Sequence, residues 1–191
     1  MAIVVATLAF VVGLATAAAA KLMDVSLDEL VATADLIVVV RVTALASEHD
    51  RTVASADVLE TIRGTAERPG GRVRFIASHT YAEDYSAARV GEVAMLFLVH
   101  RCGPGTAATR WYTEEAPTSD AAPSELPCIA ARGRGRFLRI ESAAGTEWTP
   151  HANLIVYPAS LWRFLDRDRE ERFPDRPFRD AITNALPTPR S

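Results

Sequence analysis

Leu36-Ile37-Val38-Val39-Val40-Arg41-Val42-Thr43 is the stretch that decides the fold. Ile37 to Val40 are all β-branched, a type that crowds a helical turn and fits a pleated strand. Leu36 to Val40 carry no polar residue to mark a solvent side, so this half of the strand is expected to be buried on both faces. Upstream, Ser26-Leu27-Asp28-Glu29-Leu30-Val31 offers an N-cap and places two acids in the first helical turn, where the helix dipole favours them. Leu27, Leu30 and Val31 then share one face, which predicts a short amphipathic helix ending near Ala34.

Downstream, Glu48-His49-Asp50-Arg51 reads as a polar turn and Thr52 to Ile62 as a second strand, with Ala54, Ala56, Val58 and Ile62 in one period-two register. Pro69-Gly70-Gly71 is a turn signal before the alternating strand Arg72-Val73-Arg74-Phe75-Ile76-Ala77. Thr80 to Arg89 reads as a loop. Gly91-Glu92 leads into Val93-Ala94-Met95-Leu96-Phe97-Leu98-Val99, an apolar run of central-strand type. Gly103 to Pro127 loses all pattern, with Trp111-Tyr112 a possible brief strand inside it, and unpatterned loops of that length are functional or mobile. Gly135 to Ile140 and Asn153 to Val156 read as the last strands, joined through Ala143-Ala144-Gly145. Two helices are expected to close the chain from about residue 158. The first opens at Pro158 with Leu161, Phe164 and Leu165 on one side; the second follows Pro177 with Phe178, Ala181, Ile182 and Ala185 in helical spacing.

The first twenty residues carry no charged side chain and pass from an apolar run into Ala15-Thr16-Ala17-Ala18-Ala19-Ala20. That is the pattern of a secretory signal, with cleavage expected between Ala20 and Lys21. The competing reading is an uncut membrane anchor, which would be the only source of membrane contact. Residues 21–191 are the length of one domain. The chain has a net charge of −3 and Lys21 as its lone lysine, which gives no electrostatic case for nucleic acid. In an exported protein the two cysteines, Cys102 and Cys128, most economically form a disulfide, which contributes roughly 3 kcal/mol in the chain-entropy model.

No nucleophile elbow, zinc-protease helix, paired C-x-x-C or phosphate-binding glycine loop is present in the sequence. The four histidines show no ligand spacing, and neither a catalytic residue, a cofactor nor a metal site is assigned. His79, Tyr81, Glu83, Asp84 and Tyr85 form the densest polar and aromatic cluster; with Trp111 and Tyr112 they are the candidate interaction residues. Arg132-Gly133-Arg134-Gly135-Arg136 reads as a flexible approach to a strand rather than a nucleic-acid segment. Asp166 to Arg172 reads as a solvated helix face with alternating charges.

Four segments in order carry a resemblance: Leu27-x-x-Leu30-Val31-x-x-Ala34-Asp35-Leu36-Ile37-Val38, Val58-x-Glu60-x-Ile62-Arg63-Gly64, Gly91-Glu92-Val93-x-Met95-Leu96-Phe97-Leu98 and Gly133-x-Gly135-Arg136-Phe137. Over residues 26–140 the chain resembles a broad group of bacterial exported domains of unknown function. That group is similar in organisation to the tissue inhibitors of metalloproteinases. The resemblance implies an OB-like antiparallel β-barrel of five to six strands, flanked by an N-terminal helix and two C-terminal helices. It does not extend to protease inhibition, because no cysteine lies near Lys21 to chelate a zinc ion. The expected function is an exported, non-catalytic module binding a protein or small molecule. The alternatives are an extracytoplasmic hydrolase assembled from His79, Glu83, Asp84 and His151, and a membrane-tethered envelope component.

Overall fold

The computed structural model describes residues 24–48, 51–65, 70–79, 88–100, 125–131, 133–152, 155–165 and 171–187. Val25–Ser26 is a two-residue strand, β1, that leads into helix α1, Leu27–Thr33. Ser26 caps the helix as its sequence predicts. Its Oγ accepts the Glu29 amide at 3.1 Å, while the Glu29 carboxylate accepts the Ser26 amide at 2.9 Å. Each bond satisfies a donor that the first helical turn leaves open.

Five strands follow. β2 spans Leu36–Glu48, β3 Arg51–Arg63, β4 Arg72–His79, β5 Val93–Val99 and β6 Cys128–Ile129. β2, β3 and β4 form an antiparallel meander, and β5 returns to pair with β2. β6 closes the ring, lying antiparallel to β5 and parallel to β4. The result is a closed five-stranded mixed barrel, so the antiparallel pairing that the resemblance implies fails at one seam, between β4 and β6. The physical reason is the direction of β6: a strand that enters from the end of β5 and then meets β4 must run the same way as β4. Register shifts along the β2–β3 pairing, at Ile37/Val38, Val39/Val40 and Val42/Ala44, supply the bends that a ring this narrow requires.

β7, Arg136–Ser142, pairs with β5 beside β6, and β8, Gly145–Pro150, pairs back on β7. Ala143-Ala144 is therefore a hairpin tip, not a link to the last strand. β9, Ile155–Val156, instead lies parallel to β1 in a separate pair. Downstream of Pro158 the chain makes a 3₁₀ turn, Ala159–Phe164, rather than a full helix. β10, Phe173–Pro174, edges β8, and α2 spans Asp175–Ala185, beginning two residues before Pro177. Pro177 fits there because the first helical turn has no amide acceptor to lose. The segment 166–170, within the expected charged helix face, lies outside the described residues. No described helix is long and apolar enough to cross a membrane.

The core has two layers separated by the sheet. Leu36, Val38, Val40, Ala54, Ala56, Val58, Phe75, Ala77, Ala94, Leu96, Leu98 and Ile129 fill the barrel. The frequent alanines match an interior too narrow for a ring of large side chains. Ile37, Val39, Met95 and Phe97 point the other way, beneath Leu27, Leu30 and Val31 of α1 and Phe178 and Ile182 of α2. The first half of β2, Leu36 to Val40, and β5 are thus buried on both faces, which is why their sequences show no alternation.

Candidate functional site

The four motif segments converge on three internal junctions. At the first, Asp35 follows α1 and opens β2. Its Oδ2 accepts the His100 amide at 2.7 Å, and its own amide donates to the Leu98 carbonyl at 2.9 Å, which fixes the end of β5 against the start of β2. Arg63, at the end of β3, donates to the Val31 carbonyl of α1. Gly64 turns away at φ 84°, where a Cβ would lie 2.5 Å from the Asp35 carbonyl oxygen. The A-D and I-R-G motifs are therefore two sides of one contact.

At the second junction, Gly91 turns at φ 90° and donates to the Val42 carbonyl, and Val42 donates back to Glu92. The Glu92 carboxylate then takes a hydrogen bond from Arg136, whose side chain is 1% exposed. Burial is the largest influence on Arg136 and holds its guanidinium below the usual arginine range. Glu92 acts in the opposite direction and Arg89 in the same one. Arg134 is equally buried. Arg134, Gly135 and Arg136 are thus packed into the fold, where the sequence predicts a flexible approach to a strand. Ala130 and Gly135 both lie tightly against β5: Phe97 donates to the Gly135 carbonyl, and Ala130 donates to the Phe97 carbonyl, both at 2.8 Å. A Cβ on Gly135 would stand 2.9 Å from the Phe97 Cβ, so only glycine lets the chain pass this close.

The third junction fixes α2. Trp148 of β8 is fully buried and donates its indole N–H to Asp175 at 2.7 Å. Asp175 also accepts Arg179 at 2.7 Å, and Arg179 reaches Glu60 of β3 at 2.8 Å. A run of ring contacts, Phe97–Phe137, Phe137–Phe178, Phe178–Phe173 and Phe173–Tyr157, joins β5 to the C-terminal elements at centroid distances of 4.6 to 5.6 Å. Tyr157 donates its hydroxyl to Glu171 at 3.0 Å. Sequence reasoning passed over Glu60, Glu92, Arg136 and Tyr157. Only the presence of three of them inside recurring motif strings could have singled them out.

Chemically these junctions bind the molecule to itself. Asp35 and Arg63 bond backbone groups of β5 and α1, Glu92 pairs with Arg136, and Asp175 and Glu60 share Arg179. Among the described residues, no group of three or more His, Cys, Asp or Glu could hold a metal ion.

The proposed interaction residues lie mostly elsewhere. Tyr81, Glu83, Asp84, Tyr85, Trp111 and Tyr112, together with Cys102, fall outside the described residues. The backbone of His79 ends β4 opposite Arg51. His151 follows β8 and donates its amide to the Arg136 carbonyl at 3.0 Å. β4 and β8 are not neighbours in the sheet. Cys128 is buried at the start of β6, with Val99 as its register partner. In chain order Tyr81 to Tyr85 precede β5 and Trp111 and Tyr112 follow it, and the two ends of that strand, Val93 and Val99, are about 20 Å apart at the usual strand rise. Compared with protein-family models and with curated proteins, the chain matches none.

Proposed function

We propose that this chain is an exported, non-catalytic binding module: a Greek-key barrel of OB type that presents loops 80–87 and 103–127 to a protein or small-molecule partner. The observation that carries this reading is the engagement of Asp35, Glu60, Arg63, Glu92, Arg136 and Asp175 in contacts within the fold. Once those charges are engaged in holding the barrel to its helices, recognition is left to segments hung from a rigid frame, where binding residues commonly reside. The ring order β2-β3-β4-β6-β5 supports the OB assignment, since a three-strand meander followed by two strands that close back on it is a Greek-key arrangement.

A Cys102–Cys128 disulfide belongs to the same proposal. Val99 lies opposite Cys128, and Cys102 follows Val99 by three residues, a reach of about 10 Å. Such a bond would tether both roots of the 103–127 loop, as an oxidising compartment permits.

The test is to recover the protein from an exporting host and compare it with a form in which residues 103–127 are replaced by a short Gly-Ser linker. The intact mass is expected to begin at Lys21. The shortened form is expected to keep its cooperative unfolding and to lose partners captured by crosslinking in the exported fraction. Retention of every partner by that form, and by a form shortened at residues 80–87, would overturn the reading.

A further inference from the structure

Beyond Arg41, β2 loses its neighbour on one side. β5 pairs with it from Leu36 to Arg41, and the turn at Gly91 and Glu92 bonds the Val42 backbone. From Thr43 to Glu48 no described strand lies on that edge, while β3 continues along the other. Thr43 to Ser47 are exposed throughout, with Leu45 at 38%. Proteins usually guard such an edge with lysine, proline or a covering element, because its unpaired amides and carbonyls are a template for another strand. The register irregularity near Thr43 sits at the root of the segment, and Ala44 to Glu48 then pair regularly with Ser55 to Arg51. Thr43-Ala44-Leu45-Ala46-Ser47 carries neither charge nor proline.

We propose that this edge pairs antiparallel with the same edge of a second copy, about a two-fold axis at Leu45. A two-fold contact must be self-complementary, each residue facing its mirror position in the partner. This segment meets that condition in its own sequence: Thr43 faces Ser47, Ala44 faces Ala46 and Leu45 faces Leu45. Hydroxyl and aliphatic pairs of this kind favour cross-strand association. Leu45 is also the midpoint of the exposed edge from Thr43 to Ser47, so this register uses all of that stretch in both copies. Charge agrees with it. Glu48 stays with Arg74 of its own chain, and between Thr43 and Ser47 no charges oppose each other. The contact area is small, since five strand residues extend only about 17 Å. That falls short of the surface holding an obligate dimer, so the pairing is reversible and concentration-dependent. It is independent of loops 80–87 and 103–127.

The experiment is sedimentation velocity on the exported protein from micromolar to near-millimolar concentration, beside Leu45→Lys. The native chain is expected to pass from monomer to dimer. Two lysines meeting at the axis are expected to weaken the dimer at least ten-fold without moving the unfolding midpoint. A second pair of variants reads the register directly. Leu45→Cys brings two thiols together and is expected to crosslink the dimer on oxidation, whereas Ser47→Cys, two residues from the axis in each copy, is not. A monomer at every concentration, a dimer indifferent to Leu45→Lys, or crosslinking by Ser47→Cys as complete as by Leu45→Cys overturns the proposal. So does binding of an unrelated extended peptide at this edge while the chain itself stays monomeric.

Discussion

Glu92 and Arg136 are the pair on which the junction of barrel and β7 turns. Both are withdrawn from water, and an ion pair in that position is held less by its own attraction than by the penalty of leaving either member alone. Arg136→Met is therefore expected to destabilise the fold by about 3–5 kcal/mol, because the Glu92 carboxylate loses its cation. Changing both residues to apolar ones of similar volume is expected to restore most of that loss. Urea denaturation midpoints of the two variants check this, and equal losses in the single and double changes would exclude it. The partnership was not legible beforehand. The two residues are 44 positions apart, and the arginine–glycine run before Phe137 reads as a flexible approach to a strand. Only the contact with Phe97 reveals that the glycine is there for closeness and that the arginine beside it is buried. Gly91 and Gly64, by contrast, announce turns wherever the chain is read.

The elements divide by how plainly their burial is written. The first half of β2 and all of β5 lie between two apolar layers, so their unbroken hydrophobic runs mark both as strands, and β5 matches its expected bounds at Val93 and Val99. α1 was legible for a local reason, the reciprocal cap of Ser26 and Glu29. β8 was missed because Gly145-Thr146-Glu147-Trp148-Thr149-Pro150 opens and closes with turn residues and buries only its tryptophan. The 3₁₀ turn at Ala159–Phe164 was taken for a helix because both place residues three apart on one side. Its neighbour Tyr157 links this region to the C-terminal elements and leads to a pH expectation. Burial first, and then the nearby Glu171 carboxylate, push the Tyr157 hydroxyl above the ordinary tyrosine range. The unfolded chain releases that proton near pH 10 while the folded chain retains it, so stability is complete below pH 10 and falls above it, by about 1.4 kcal/mol per pH unit. Unfolding midpoints taken from pH 8 to 11.5 are expected to decline more steeply in the native chain than in Tyr157→Phe. Parallel curves would remove Tyr157 as the cause.

At the scale of the whole molecule, a mainly β barrel with flanking helices was legible from the order of its apolar runs. The mixed pairing was not, because nothing in the two residues of β6 specifies which neighbours they will find. That closure has a temporal consequence. β2 and β3 meet across a hairpin and β3 and β4 across a short connection, so their contacts close small loops and form early. The contact between Ile76 and Cys128 instead joins strands separated by the whole of β5 and the long segment after it. The ring is then an open, curled sheet for most of its assembly, and the seam between β4 and β6 is the last to shut. What shuts last on few bonds also opens first. In native-state hydrogen exchange the Ile76 amide, bonded to the Pro127 carbonyl at 2.8 Å, is expected to exchange by a smaller opening than the β2–β5 amides. Equal protection at both places would mean that the ring opens only as a unit. With the proposed Cys102–Cys128 bond, a reducing solution is expected to loosen the seam further, and equal Ile76 exchange with and without reductant would remove that bond from the closure.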